Sequence, residues 1–232
     1  HTLPVLSEVV PLYDEPEWSF LVMPRMRPCN SPPGLDTVGE FVEFLEQVLE
    51  GLVFLHSKNI AHRDICRANL VMDASKWIPA GCHFLRPWTL DGLKYLIPET
   101  DDDPRRGPHV PCATISPFPD NLVTRKYREL RKHIPEVSET VPYDPFKADI
   151  RLVGEMVRRE FLLRYKGLDF VIPLVKKLRH RDPVRRPGAA EALALFRRLT
   201  SRLDKNQPLT GWLDFRHSKR RAVLFIKGLG LH

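Results

Sequence analysis

The sequence predicts a mainly helical α+β domain. Two short β-type runs lie before residue 24, and a long segment with apolar residues at helical spacing follows them. Three further helical segments follow one another from about residue 148 onward. With 232 residues and 43% hydrophobic content, the chain can build one sizeable core. We therefore expect one domain over residues 1–204 and a polar tail over residues 205–232.

The first elements are a hairpin and a long helix. Residues 9–13 and 18–23 are β-type runs around the turn-like "DEPE", a pattern typical of a hairpin. A connection with several prolines, residues 24–34, leads to a helix predicted at about 37–57. Its apolar residues share one stripe, which predicts a buried face: Phe41, Leu45, Val48, Leu49, Leu52 and Leu55.

The later helices are predicted at about 148–165, at about 168–180 and from "RPGAAEAL" onward. Pro187 suits the first turn of the third of these helices. Between the early and late helices, residues 86–120 contain seven prolines and show no period. This stretch is predicted to be a long loop.

Charge and cysteine usage exclude several function classes. The 36 Lys and Arg against 29 Asp and Glu give a net charge of +7, which favours acidic partners in general. The basic residues form short clusters without interleaved aromatics, so we interpret them as solvated helix faces and do not expect a nucleic-acid partner. Four cysteines without a C-x-x-C pair indicate reduced thiols. His56, His180 and His217 have no partner at metal-ligand spacing and are predicted to be packing or surface residues.

The apolar runs are far shorter than the roughly 20 residues that cross a membrane, and no signal peptide is seen. These features predict an intracellular protein, cytoplasmic or nuclear, without a membrane partner. The chain begins at His1 and not at Met, so we expect a fragment of a longer protein.

The stretch "AHRDICRANLVMD" contains the candidate catalytic and metal-binding residues. His62, Arg63 and Asp64 precede Asn69, which follows Asp64 by five residues. Transfer of a phosphoryl group to a hydroxyl needs a carboxylate near the attacking oxygen and a ligand for the metal on the phosphates. The spacing matches the template H-R-D-x-x-x-x-N. A role for Asp64 as a mere helix cap stays open on this motif alone.

At this motif the sequence resembles the protein kinase family, specifically its C-terminal lobe. "GLVFLHSKNIAHRD", "ADIRLVGEMV" and "RDPVRRPGAAEAL" occur in the family's order. The resemblance covers about residues 5–204. It implies a remnant β-hairpin and hinge of the N-terminal lobe over residues 1–26 and a C-terminal lobe over residues 27–204. "AHRD", "MPRMRP" and "ETVPYDPFKADI" are also similar to kinase-like proteins abundant in mushroom-forming fungi.

The resemblance assigns roles to particular residues. It implies a catalytic loop of His62, Arg63 and Asp64, with Asp64 accepting the hydroxyl proton of a protein Ser or Thr. Asn69 would bind Mg²⁺, and ATP would be the phosphoryl donor.

For the adenine of ATP, the resemblance implies a place beside Met23, with its edge on the backbone of Pro24 and Met26. Structural support would come from Asp149, which holds the amides of the loop, and from a pair between Glu136 and Arg186. The alternative for that pair, two solvated side chains, stays open.

Several parts of the family's pattern are missing. No glycine-rich loop, strand lysine or partner glutamate is found, and D-F-G does not occur. Asp91 in "TLDGL" is the nearest substitute for its aspartate, although a turn-forming Asp-Gly is the simpler interpretation. Cys66 occupies the position of the usual lysine, and Arg67 is the nearest cation. The sequence therefore predicts weak or no catalysis by this chain alone.

Two histories fit the missing parts, a true pseudokinase and a chain that lacks part of its sequence. Two function classes also stay open. One is ATP-dependent phosphorylation of protein Ser or Thr. The other is a pseudokinase or lobe fragment that serves as a scaffold and binds a protein partner through its helical surface.

Overall fold

The computed structural model describes residues 4–15, 17–29, 35, 37–73, 83, 89, 91, 113–115, 134–136, 138, 140–203 and 213. These residues form an α+β arrangement in which helices predominate, which confirms the predicted class. Most of the predicted loop at 86–120 and of the predicted tail at 205–232 lies outside the described residues. Among the described helices, none combines the length and apolarity needed to cross a bilayer.

The strands form two separate sheets. Strands β1 (Val10–Pro11) and β2 (Ser19–Phe20) pair antiparallel, with Val10 opposite Phe20, and confirm the predicted hairpin. Strands β3 (Arg27–Pro28), β4 (Leu70–Met72) and β5 (Ala113–Ile115) form an antiparallel sheet in the order β3-β4-β5. Strand β5 corrects one prediction, because it lies in the stretch 86–120 that was predicted to be a loop.

Helix α1 (Val38–Ser57) has clear start and stop signals. Thr37 and Glu40 form a capping box, in which each side chain binds the other residue's backbone amide. At the other end, Asn59 has a φ of 58°. The amides of Asn59 and Ile60 reach back to His56 and Leu55, which gives a Schellman-type end. The helix therefore ends at a fixed place, directly before the HRD motif.

Helix α2 (Pro145–Val157) begins earlier than predicted, because Asp144 caps the amides of Phe146 and Lys147 and Pro145 occupies the first turn. It continues into a π-helical turn, Arg158–Leu162. All residues from Ala148 to Val157 are buried, so this is the central helix of the described core.

Helix α3 (Ile172–Leu178) follows a short 3-10 turn and packs closely against α2. A Cβ added at Gly154 would lie 2.6 Å from Cγ of Arg179 and 2.9 Å from Cβ of Leu178. Glycine at this position therefore sets the separation of the two helices.

Helix α4 (Ala189–Thr200) corrects one prediction. Pro187 does not lie in its first turn, because Gly188 is the N-cap and the helix begins at Ala189. Arg186 before the proline has the extended ψ of 141°, as expected for a residue that precedes proline. Pro187 thus belongs to the extended link between a 3-10 turn, Pro183–Arg185, and α4.

Helix α1 packs into the same core as α2. It packs along α4, and Phe41 and Phe44 meet Phe161 with ring centroids 5.0 and 5.4 Å apart. Leu213, beyond α4, is also buried in this core, at 3% exposure. The chain after α4 therefore returns to the body of the domain at Leu213.

Candidate functional site

The HRD motif lies in an irregular loop between the end of α1 and a one-turn 3-10 segment, Arg67–Asn69. Arg63 adopts a φ of 64°, in the left-handed region that non-glycine residues rarely occupy. Such a conformation costs about 1–2 kcal/mol and persists where the surroundings hold it. The loop is therefore a constrained element.

Asp149 on α2 supplies that constraint. Its carboxylate accepts hydrogen bonds from the backbone N–H of His62 at 2.7 Å and from that of Arg63 at 2.6 Å. The residue is fully buried. A buried carboxylate is tolerated where hydrogen bonds satisfy it, and bonds to a charged acceptor are about twice as strong as neutral ones. Asp149 thus fixes the backbone on the N-terminal side of Asp64.

His56 is a third donor to the same carboxylate. Its Nε2 lies 3.0 Å from Oδ2 of Asp149, and its ring meets the edge of Phe146 at a centroid distance of 4.9 Å. The sequence analysis predicted only a packing or surface role for His56. One available signal was its position four residues after Leu52, which extends the buried stripe of α1.

Asp64 and Asn69 are brought together by the loop. The Nδ2 of Asn69 donates to the backbone carbonyl of Asp64 at 2.8 Å and to its Oδ2 at 2.7 Å. Cys66, and not Asp64, is the N-cap of the 3-10 turn. The structure therefore disfavours the helix-cap role that the motif alone left open. Asn69 is buried, so the pair is held in one arrangement.

The loop offers only part of a magnesium site. Because Nδ2 of Asn69 is directed at Asp64, its Oδ1 is the atom that faces other ligands. Mg²⁺ prefers oxygen ligands, usually one or two carboxylates with phosphate oxygens. The described residues contain no group of three or more His, Cys, Asp or Glu that could hold a metal. From this loop, Oδ1 of Asn69 could serve as one ligand of a metal that is shared with a bound phosphate.

Asp91, the nearest substitute for the missing D-F-G aspartate, lies at an exposed bend. The bend follows Thr89, whose carbonyl accepts the amide of His83 at 2.9 Å. This placement agrees with the turn interpretation of Asp-Gly.

Arg67, the basic residue next to Cys66 in the sequence, faces Glu160 of the π-helical turn. Its NH1 lies 3.6 Å from Oε2 of Glu160, and NH2 of Arg164 lies 3.0 Å from the same oxygen. These three residues and Cys29 line a pocket of about 60 Å³. Small-molecule sites span roughly 300–1,000 Å³, so this pocket is too small for a nucleotide. Burial and then the charge of Glu160 raise the pKa of Cys29 to about 12.

The predicted adenine-binding residues lie on a neighbouring segment. Met23, Pro24 and Met26 are half-buried in the irregular connection between β2 and β3. Arg27, directly after Met26, faces Met72 across the β3-β4 pair. Through this pairing, the sheet places the end of the connection beside β4, the strand that directly follows Asn69 in the chain.

Glu136 and Arg186 form a two-pronged ion pair between a buried guanidinium and a half-buried carboxylate. NH1 of Arg186 bonds Oε1 of Glu136, and its NH2 bonds Oε2 at 3.0 Å. The guanidinium also donates to the carbonyls of Lys147, His180 and Arg181. Its side chain is fully buried, so the alternative of two solvated side chains does not describe the structure.

Arg151 is a buried arginine of α2 whose side chain makes a structural contact. Its NH1 donates to the carbonyl of Arg179 at 2.7 Å, at the end of α3. Burial, followed by the charge of Arg186, lowers the pKa of Arg151. The residue links α2 to α3 through a hydrogen bond to the backbone.

No family model matches the chain, and no curated protein matches it.

Proposed function

We propose that this chain is a protein-kinase-like C-terminal lobe whose HRD loop is arranged for phosphoryl transfer to a Ser or Thr hydroxyl of a protein. One observation carries the proposal. The buried carboxylate of Asp149 holds the two amides that precede Asp64, and Asn69 is bonded to Asp64 from the other side of the loop. A loop fixed at both ends presents its carboxylate in one orientation, which positional catalysis requires.

The roles follow from the chemistry of the transfer. The substrate hydroxyl approaches Asp64 and bonds to the γ-phosphorus of ATP as the bond to the bridging oxygen breaks. ADP leaves, and the hydroxyl proton passes to the carboxylate of Asp64. A bound Mg²⁺ would neutralise phosphate charge, with Oδ1 of Asn69 as its ligand from this loop.

The rate expected of this chain alone is low. Removal of a single group that stabilises transferring phosphate commonly costs about 10²-fold to 10³-fold. Arg67, the nearest substitute for the lysine that Cys66 replaces, is engaged with Glu160. The proposal is therefore a kinase-like lobe with an ordered catalytic loop and an incomplete set of phosphate ligands.

The decisive experiment is ATP binding by the purified chain, titrated calorimetrically with and without Mg²⁺. We expect binding that needs Mg²⁺ and that weakens at least about tenfold in Asn69→Ala, since a metal ligand is lost. Glu191→Gln is the matched control, because Glu191 is an exposed residue of α4. A folded chain that binds no ATP, or that binds it equally in Asn69→Ala, would contradict a phosphotransfer role.

A second candidate function, a binding scaffold, is favoured by the helical surface. Lys176 and Lys177 on α3 are exposed, as are Arg181 and Arg185 in the link that follows. A basic surface of this kind suits an acidic protein partner. Partner binding that survives Asn69→Ala and removal of Mg²⁺, but fails in Lys176→Glu with Lys177→Glu, would support the scaffold.

A further inference from the structure

The β1-β2 hairpin presents an apolar surface that the described residues do not cover. Its residues are between 42% and 61% exposed: Val5, Leu6, Val9, Val10, Trp18, Phe20, Leu21 and Val22. Among the described strands, β1 and β2 pair only with each other. A two-stranded hairpin is marginally stable in water by itself, and exposed apolar strand edges invite a further strand. We call these eight residues the hairpin surface.

The same hairpin is acidic. Residues 4–22 contain Glu8, Asp14, Glu15 and Glu17 and no Lys or Arg, in a chain with a net charge of +7. The four acids are exposed. A partner for the hairpin surface should therefore be both apolar and basic.

One segment of the chain has this chemistry. Residues 219–227 read "KRRAVLFIK", a run of five apolar residues with three basic residues before it and one after it. Val223, Leu224, Phe225 and Ile226 are strand-favouring or apolar residues. The segment complements the hairpin in hydrophobicity and in opposite charge.

The fold gives this segment an anchor in the core. Leu213 is buried there, and Ala222 follows it by nine positions in the chain. At 3.3–3.6 Å per residue, an extended connection of that length reaches roughly 30 Å, comparable with the diameter of a domain of this kind.

We propose that residues 219–227 add to the hairpin of the same molecule as a third strand. The apolar run covers part of the hairpin surface, and the flanking Lys and Arg side chains approach the acids of the hairpin. This docking does not depend on the phosphotransfer proposal, since it involves neither Asp64 nor Asn69. It makes the hairpin an intramolecular binding site for the end of the chain.

Trp18 reports on the docked strand. It is 58% exposed and is one of four tryptophans, so a Trp18→Phe version of each variant isolates its emission by difference. Because a strand on one side of the ring leaves the other side open, we expect acrylamide quenching of Trp18 to rise about twofold when the segment detaches. Arg220→Glu with Arg221→Glu should produce this rise and shift the emission to longer wavelength.

A charge swap makes the test specific. Glu15→Lys with Glu17→Lys should also raise the quenching, and the two pairs combined should restore it, since opposite charges again face each other. Arg198→Glu with Arg202→Glu, two exposed residues at and just after the end of α4, is the matched control and should leave the quenching unchanged.

Three outcomes would overturn the proposal. The first is quenching that the Arg220 and Arg221 variant leaves unchanged, and the second is an equal rise in the Arg198 and Arg202 control. The third is quenching that varies with protein concentration, because the strand would then come from a second copy. Circular dichroism of each variant separates these outcomes from loss of folding.

Discussion

The clearest test of the loop geometry is Asp149→Asn, which keeps the shape of the side chain and removes its charge. In the chain, Oδ2 accepts from His62 and His56 and Oδ1 accepts from Arg63. An asparagine keeps one oxygen for the first two donors and turns an NH₂ group toward the amide of Arg63. One bond to a charged acceptor is lost, and one buried donor has no acceptor.

The magnitude follows from those losses. A hydrogen bond to a charged group contributes about 1.5–3 kcal/mol, and an unsatisfied buried donor costs about 1–3 kcal/mol. Because the strained φ of Arg63 can relax once its amide is released, we expect a net loss of roughly 3 kcal/mol in the free energy of unfolding. Domains of this size are stable by roughly 5–15 kcal/mol, so the variant should still fold.

Urea unfolding followed by circular dichroism measures this loss, with hydrogen exchange of the peptide that contains His62 and Arg63 as a local readout. Glu191→Gln makes the same chemical change on the exposed face of α4 and should alter stability by less than about 0.5 kcal/mol. If Asp149→Asn matched that control and exchange at the loop stayed slow, the carboxylate would not be what orders the HRD loop.

Three further predictions concern the surrounding core. Gly154→Ala should cost about 1–3 kcal/mol in urea unfolding, because its Cβ would overlap Arg179; an unchanged midpoint would show that α2 and α3 are not in close contact. Cys29 should resist iodoacetamide at pH 8 until the chain is unfolded, since a pKa of about 12 leaves roughly one thiolate in 10⁴. Peptide mass spectrometry checks this, and rapid labelling of the folded chain would contradict it. For Glu155, burial raises the pKa, but hydrogen bonds from Arg179 and Arg158 lower it to a net value below 4.5. The stability that Glu155 contributes is present above pH 4.5 and is lost as pH falls through the lowered pKa. Glu155→Gln should therefore reduce the slope of the free energy of unfolding against pH in the acid range; an equal slope in the variant and the wild type would exclude this role.

Helix α1 and the β1-β2 hairpin were predictable from the sequence, because residues within each element determine it. The apolar stripe and the Thr37 start signal belong to α1 itself, so its bounds followed closely from the sequence. The hairpin had the same advantage, with β-type runs on both sides of a turn. The start of α4 was misplaced, because Pro187 suits a helix start and also an extended link, and only the burial of Arg186 decides between them.

Features that depend on distant residues were harder to predict. Strand β5 exists because it pairs with β4 across about 40 residues, and its three residues have no period of their own. The hydrogen bond of His56 could not be predicted from a motif, because its partner Asp149 lies 93 residues away in the chain. Family resemblance, and not composition, pointed to Asp149 and to the Glu136–Arg186 pair, because resemblance carries long-range information that one sequence does not show.

The separation between Asp149 and the loop also determines the order of assembly. The carboxylate lies 87 residues after His62, so a growing chain on the ribosome exposes the HRD motif long before α2 emerges. Until then, the left-handed turn at Arg63 lacks the acceptor that holds it. The HRD loop therefore becomes ordered only when α2 docks on α1, and a nascent or prematurely terminated chain that ends before residue 149 lacks the carboxylate that orders this loop.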